Sequence, residues 1–161
     1  KSFYLMDINR SKLEIVGGLA KRILDANDMR VEFVLTDNLL ETVRNADYVV
    51  TQMRVGMLDA RINDEKIPLK YDLIGQETTG VGGFFKALRT IPEIMKVTSM
   101  MEKYCPDAWL INFTNPSGMI AQAVLSNTKV KAVGLCNAPI YFRKKVTDTL
   151  AKTGRDRKSV V

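Results

Sequence analysis

The chain has 161 residues, of which 46% are hydrophobic and 26% charged, which is an ordinary composition for one globular domain. Its formal net charge is +6, and much of the positive excess lies after residue 142. We interpret this basic end as a solvated helix face followed by a frayed terminus. Nucleic-acid binding needs a basic face with stacking aromatic rings, which the sequence does not show, so we predict no nucleic-acid partner.

Residue types that are scarce or missing exclude several kinds of chemistry. The chain contains no histidine, which excludes Ser-His-Asp and Cys-His catalysis within it and removes the commonest zinc ligand. Its two cysteines, Cys105 and Cys136, form no disulfide framework and favour a cytoplasmic location. No apolar run approaches the length of a membrane span, so we predict no membrane partner.

Apolar runs alternate with helical periodicity along the chain, which predicts an α/β fold with a Rossmann-like, mainly parallel sheet flanked by helices. Ser11 and Glu14 fit a capping box at the start of the first helix, and Pro92 fits the first turn of the fourth. Glycines in the segment 71–83 predict a long loop. The predicted strands are 3–6, 30–35, 48–53, 108–113 and 130–135, and the predicted helices are 11–26, 39–45, 57–66, 91–104, 117–126 and 140–153.

The chain opens inside an apparent strand, and no glycine-rich phosphate-binding turn precedes that strand. A dinucleotide-binding fold places such a turn roughly twenty residues before the acidic residue that binds ribose. We therefore expect residues 1–161 to be a partial NAD-binding domain of a larger enzyme, without its first strand and glycine loop.

Candidate site residues follow the predicted strands. Parallel strands bring their carboxyl ends to one edge of a sheet, where ligands bind, so we expect these side chains to lie together. Asp7 suits the ribose hydroxyls of NAD, although an aspartate at this position is also a common start of a helix. The residues in question are Asp7, Arg54, Asn115, Cys136 and Asn137.

Four candidates, Arg54, Arg61, Glu77 and Cys136, offer a charged group or a thiol. Arg54 and Arg61 flank a glycine, and either guanidinium suits a phosphate or carboxylate, although Arg61 is equally suited to pair with Asp64 or Glu65. Glu77 in the glycine-rich loop is either solvated or faces a titratable partner. Cys136 is either a small buried apolar residue or a metal ligand or nucleophile.

Three stretches together carry a specific pattern: Asn63 to Gly83, Asn112 to Gly118 and Gly134 to Pro139. They resemble family 4 of the glycoside hydrolases, the NAD- and metal-dependent glycosidases, and the resemblance extends to about residue 145. Within the family the likeness is greatest to members that act on 6-phospho-β-glucosides. The resemblance implies that Asp7 binds the NAD ribose, and that Arg61 and Asn115 bind substrate.

The resemblance implies roles for three further positions. Cys136 matches the thiolate ligand of a divalent metal, usually Mn²⁺, and Glu77 matches a residue that raises the basicity of a catalytic tyrosine. Asn137 stands where α-acting members carry an acidic aspartate. Because an amide cannot donate a proton as a general acid, a β-glycoside substrate follows.

The implied reaction is an oxidation, elimination and addition sequence, which departs from the two-carboxylate scheme of most glycosidases. NAD takes a hydride from carbon 3 of a phosphorylated β-glucoside, a tyrosine removes the proton on carbon 2, and the metal acts as a Lewis acid. The resemblance also implies a homodimer or homotetramer. The family's glycine turn, metal-binding histidine and catalytic tyrosine have no match in this chain, so we predict that it is inactive by itself.

Two alternatives remain open. A lactate- or malate-type 2-hydroxy-acid dehydrogenase has a related fold, and its arginine after the third strand and Asn-Pro after the fourth resemble Arg54 and Asn115. Against it, that class uses a catalytic histidine. A non-catalytic Rossmann-like binding module is the other alternative, which the absence of histidine and of the glycine turn favours.

Overall fold

A computed structural model describes residues 1–152 of the chain. The strands are β1 (Ser2–Met6), β2 (Glu32–Thr36), β3 (Tyr48–Thr51), β4 (Trp109–Asn112) and β5 (Lys131–Gly134). The helices are α1 (Arg10–Ala26), α2 (Leu39–Val43), α3 (Met57–Leu69), α4 (Gly80–Tyr104), α5 (Ser117–Asn127) and α6 (Ala138–Lys152). The predicted last residue of α6, residue 153, and the basic end beyond it lie outside the described residues.

All strand pairs are parallel, which confirms the predicted α/β, Rossmann-like class, but the strands form two sheets. β1 pairs with β2, and a second sheet has the order β3-β4-β5. A doubly wound dinucleotide fold has the order 3-2-1-4-5-6, so its first strand separates two halves of the sheet. The break between β1 and β3 falls at that position, and this matches a partial domain without its first strand.

The main core surrounds α4, which packs on α2, α3 and α5. Met101, Leu110, Ile120 and Val124 are completely or almost completely buried there, and each such side chain contributes roughly 1.5–3 kcal/mol through its removal from water. Cys105 belongs to the same core, where burial raises the pKa of its thiol against an opposing backbone hydrogen bond from Ala46. Cys105 is therefore a structural residue of the core.

The first helix is capped by a different residue from the one predicted. Asn9 is the N-cap, and its side-chain oxygen accepts a hydrogen bond from the backbone N–H of Lys12 at 3.0 Å. Ser11 lies inside the helix, and Glu14 pairs with Arg10, so the predicted capping box at Ser11 is wrong. Asn is as good a cap as Ser, and only the backbone geometry decides between close neighbours.

The fourth helix begins eleven residues earlier than predicted, at Gly80 instead of residue 91. Pro92 therefore lies inside the helix and not in its first turn. The glycines before it permit close backbone packing: a Cβ on Gly82 would lie 2.3 Å from the carbonyl oxygen of Gln76 and 2.7 Å from that of Asp64. The loop that remains, residues 71–79, is held directly against α3 and α4.

The last helix is the least packed part of the described chain. None of its residues is buried, and Ile140, Tyr141 and Phe142 are all exposed. Within residues 1–152, no helix has both the length and the apolar character that a membrane span requires.

We predict opposite effects of alanine at two helical glycines. Gly82→Ala should lower the free energy of unfolding by about 1–3 kcal/mol, because the new methyl group meets backbone atoms that cannot move aside. Gly18→Ala is the matched control, since its Cβ would meet only the end of the Arg22 side chain at 3.8 Å; it should raise stability by about 0.5–1 kcal/mol. Urea unfolding measures both, and equal effects would contradict the packing described here.

Candidate active site

The carboxyl ends of three adjacent strands carry three of the predicted site residues. Arg54 follows β3, Asn115 follows β4 and Cys136 follows β5, in the spatial order of the sheet. Backbone hydrogen bonds continue past the strands, from the N–H of Phe113 to Thr51 at 2.8 Å and from that of Leu135 to Asn112 at 2.9 Å. These three positions therefore lie along one edge, as predicted.

A buried polar network fixes this edge. The side-chain oxygen of Asn112 accepts hydrogen bonds from the Thr51 hydroxyl at 3.0 Å and the backbone N–H of Thr114 at 3.1 Å. The Thr114 hydroxyl in turn accepts the backbone N–H of Met53 at 3.0 Å. Asn112 is 1% exposed, so the first asparagine of the Asn-Phe-Thr-Asn-Pro motif is structural: it positions the chain that leads into Arg54 and Asn115.

Four charged side chains meet beside this edge, and we name them the Glu77 cluster: Glu77, Arg54, Arg61 and Lys86. Oε1 of Glu77 lies 2.5 Å from Nζ of Lys86 and 3.2 Å from Nη1 of Arg54. Oε2 lies 3.4 Å from Nη1 of Arg61. The Glu77 side chain is 21% exposed, so of its two predicted environments the solvated one is wrong and the paired one is confirmed.

The cluster keeps Glu77 ionised. Burial by itself acts to raise the pKa of this carboxyl group, but the hydrogen bond from Lys86 and the charges of Lys86, Arg61 and Arg54 together outweigh it. The net result is a pKa below the usual 4.5. Glu77 is therefore a permanent acceptor and negative charge at neutral pH, and not a proton donor.

The two arginines of the cluster are engaged differently. Nε of Arg61 donates to Oε1 of Glu65 at 2.8 Å, and this hydrogen bond raises the pKa of Arg61 against the effect of burial. Of its two predicted partners, Arg61 thus pairs with Glu65 and not with Asp64. Nη1 of Arg54 is buried, and its contact with Oε1 of Glu77 at 3.2 Å is an ion pair that lacks hydrogen-bond geometry. Buried donors without a well-formed hydrogen bond are rare in proteins and are often completed by a ligand or water.

A second ion pair, which the sequence analysis does not predict, joins the two helices that carry Arg61 and Lys86. Asp64 on α3 receives both terminal nitrogens of Arg89 on α4, at 3.0 and 2.6 Å. Nε of Arg89 also donates to the carbonyl of Val55 at 2.9 Å. Asp64 is 4% exposed, so this bidentate pair fixes α3, α4 and the turn after Arg54 relative to one another.

Asp7 lies apart from these groups. It follows β1 in the other sheet, and its Oδ1 accepts the backbone N–H of Asn9 at 2.8 Å while Lys12 lies 3.7 Å from Oδ2. This is the helix-start role that the sequence left open beside NAD binding. The carboxylate keeps acceptor capacity for ribose hydroxyls, so the two roles are compatible.

Cys136 and Asn137 are exposed at the end of β5. The Cys136 sulfur accepts the backbone N–H of Ala138 at 3.4 Å, so it is not the buried apolar cysteine that was its alternative. No group of three His, Cys, Asp or Glu side chains suited to a metal occurs in residues 1–152. This part of the chain supplies one thiol and not a complete metal site, so the predicted ligand role stays a prediction.

Lys86 is absent from the predicted site residues, because the predicted α4 begins at residue 91 and the structure begins it at Gly80. The pattern that indicates a buried Lys86 is its helical spacing. Lys86, Thr90 and Ile94 are four residues apart on one face of α4, and all three are buried. A lysine at a core position of a helix needs an anionic partner. Glu77, nine residues earlier, is that partner.

Comparison with known proteins identifies a single family. The family model described as "Family 4 glycosyl hydrolase" matches residues 1–152. A Bacillus subtilis (strain 168) protein named "Probable 6-phospho-beta-glucosidase" is 49% identical over 154 residues, which are 93% of this chain and 35% of the relative. An Escherichia coli (strain K12) 6-phospho-beta-glucosidase is 42% identical over 98% of this chain and 36% of its own length. The chain thus spans about a third of the relatives it matches.

Two further matches are a glucosidase named for a different substrate and a solved structure. A maltose-6'-phosphate glucosidase of Clostridium acetobutylicum is 34% identical over 96% of this chain and 35% of the relative. A 6-phospho-beta glucosidase of Thermotoga maritima, solved with manganese, NAD+ and glucose-6-phosphate, superposes with a TM-score of 0.83 at 40% identity. That superposition covers 92% of this chain and 35% of the solved one.

We predict that Glu77→Gln destabilises the protein by on the order of 3 kcal/mol at neutral pH, because it leaves the buried Lys86 ammonium without its anion. A carboxyl group with a lowered folded-state pKa stabilises above the unfolded value and loses that effect as the pH falls through the folded value. The difference from wild type should therefore shrink below pH 4.5. Urea unfolding across pH measures it.

Glu93→Gln is the control for that comparison. Glu93 pairs with Lys96 on the exposed face of α4, and its replacement should change stability by no more than about 0.5 kcal/mol. A Glu77→Gln effect as small as the control, or one that persists undiminished in acid, would contradict the assignment.

Proposed function

The chain belongs to family 4 of the glycosyl hydrolases, and from this premise we propose that the whole protein hydrolyses 6-phospho-β-glucosides. The observation that carries the substrate class is the ranking of its relatives. Those named 6-phospho-β-glucosidases share 42–49% of their aligned residues with this chain, against 34% for the maltose-6'-phosphate glucosidase. Asn137 supports the same choice, because an amide at this position cannot protonate a leaving group.

The charge of the Glu77 cluster suits a phosphorylated sugar. Three cationic side chains face one carboxylate, and Arg61 has a second partner in Glu65, so the cluster with Glu65 keeps a net positive charge. We assign substrate binding to Arg61 and Arg54, whose guanidinium groups match phosphate and hydroxyl oxygens. The Arg54 side chain is 36% exposed and its Nη1 contacts Glu77 as an ion pair without hydrogen-bond geometry, so the guanidinium keeps donor capacity for a ligand oxygen.

Asn115 is the third proposed substrate contact. It is half-buried after β4, the strand that neighbours the one leading into Arg54, and its side-chain amide makes no hydrogen bond within the described residues. An amide carries two donors and an acceptor, so it suits a sugar hydroxyl. Glu77 is proposed to act indirectly. Its ionised carboxylate would raise the basicity of a catalytic tyrosine that lies outside these residues.

The proposed cofactors are NAD and a divalent metal such as Mn²⁺. When bound, NAD accepts and returns a hydride, and the metal withdraws electrons from the sugar oxygens. Asp7 fits the NAD role, since it ends a parallel strand with acceptor capacity toward ribose hydroxyls. The metal fits less well, because a lone thiol is a soft ligand for hard Mn²⁺ and its other ligands lie outside residues 1–152.

An assay of the whole protein tests this function. We expect NAD- and Mn²⁺-dependent release of nitrophenol from nitrophenyl 6-phospho-β-glucoside, no release with chelator, and at least about a tenfold preference over the α-anomer. The isolated 161-residue chain should be inactive under the same conditions. Absence of release by the whole protein in every condition would refute the proposal, and oxidation of a 2-hydroxy acid instead would favour the dehydrogenase alternative.

Cys136→Ser tests the proposed metal ligand. Removal of the thiolate should raise the Mn²⁺ concentration for half-maximal activity by at least about tenfold, because loss of a group that merely supports a metal ligand already costs about 10–100-fold. Cys105→Ala is the control, because it removes the other thiol from the core without touching the strand edge. An unchanged Mn²⁺ requirement in Cys136→Ser would show that this cysteine is not a ligand.

A further inference from the structure

Lys86 is the most deeply buried cation whose burial the structure describes. It lies on α4 and is 4% exposed, and its Nζ contacts one anionic group in the described chain, Oε1 of Glu77. A buried ammonium costs several kcal/mol unless it is paired with good geometry. Lys86 and Glu77 therefore depend on each other more strongly than surface ion pairs do.

The two partners differ in how firmly the fold holds them. Lys86 projects from a 25-residue helix whose buried stripe includes Thr90, Ile94 and Met101. Glu77 lies in the loop 71–79, which has no regular secondary structure of its own. The helix thus holds Lys86 in a fixed position, and the loop that carries Glu77 takes its position from the ion pair with Lys86.

The contacts continue from Glu77 to the proposed substrate residue. Oε1 of Glu77 is taken by Lys86 and Arg54, which leaves Oε2 toward Nη1 of Arg61. Nε of Arg61 is held by Glu65. The guanidinium of Arg61 is thus held at Nη1 by Glu77 and at Nε by Glu65, so these two carboxylates set its orientation.

We propose that Lys86 is the positioning residue of this site: its buried ammonium fixes the Glu77 carboxylate, and Glu77 in turn orients Arg61 toward the phosphorylated sugar. The proposal deepens the proposed function and rests on it for the role of Arg61. Lys86 is too buried to touch substrate, so it acts through Glu77. The charged groups that face Glu77 are Arg54 after β3, Arg61 on α3 and Lys86 on α4.

Hydrogen exchange of the whole protein tests the first link without reference to activity. In Lys86→Met, amides of the loop 71–79 and of α3 should exchange at least about tenfold faster, because the pair that holds the loop is gone. Lys96→Met, an exposed lysine of the same helix, is the control for the loss of one positive charge. Loop exchange at the wild-type rate in Lys86→Met would overturn the proposal.

Binding of glucose 6-phosphate tests the second link. We expect Lys86→Met to weaken binding about tenfold or more, and Lys96→Met to change it less than about twofold. Because Lys86 acts through Glu77, the double variant Lys86→Met/Glu77→Gln should bind as Glu77→Gln does. Multiplied losses in the double variant would overturn the proposal and indicate independent roles.

Two further outcomes keep the inference separable from the proposed function. If wild type binds no glucose 6-phosphate, the substrate class fails, while the exchange experiment still decides whether Lys86 holds the loop and α3. If Lys86→Met does not fold, Lys86→Arg replaces it, because it keeps the charge but moves the donor. For Lys86→Arg we expect faster loop exchange and weaker glucose 6-phosphate binding, both by smaller factors than for Lys86→Met. An exchange rate and an affinity equal to those of wild type would contradict the proposal.

Discussion

The ion pairs of the Glu77 carboxylate with three cations hold this region together. Lys86, Arg54 and Arg61 come from a helix, a strand end and a second helix, and their positive charges would repel one another if the carboxylate were removed. One negative group at their centre converts that repulsion into attraction. It thereby links the end of β3, α3, α4 and the loop between the helices into one unit.

That arrangement requires the loop backbone to approach the helices very closely. A Cβ on Gly75 would lie 2.0 Å from the carbonyl oxygen of Glu65, and one on Gly82 would lie 2.3 Å from that of Gln76. No larger residue is accommodated at these contacts, so the glycines bring the loop close enough for Glu77 to reach a buried lysine. Their role is close packing and not flexibility.

The site is assembled from parts that belong to different layers of the fold. Parallel pairing of β3, β4 and β5 aligns Arg54, Asn115 and Cys136, while Asp7 ends a strand of the separate two-stranded sheet. The groups proposed to bind sugar and the group proposed to bind NAD ribose are thus on opposite sides of the break in the sheet. In a doubly wound fold this position, where the strand order reverses, is where a dinucleotide binds.

The amino-acid sequence is sufficient to predict the order of elements, the parallel class and the strand-end positions of Asp7, Arg54, Asn115 and Cys136, because these follow from local hydrophobic periodicity. It also determined the family, because the motifs are contiguous. The tertiary structure alone decided that α4 begins at Gly80, that Glu65 and not Asp64 pairs with Arg61, and that Lys86 lies under Glu77. Those features depend on which backbone segments touch in space. Local composition predicts a loop from glycines, and it carries no signal that distinguishes a mobile glycine from one pressed against a carbonyl oxygen.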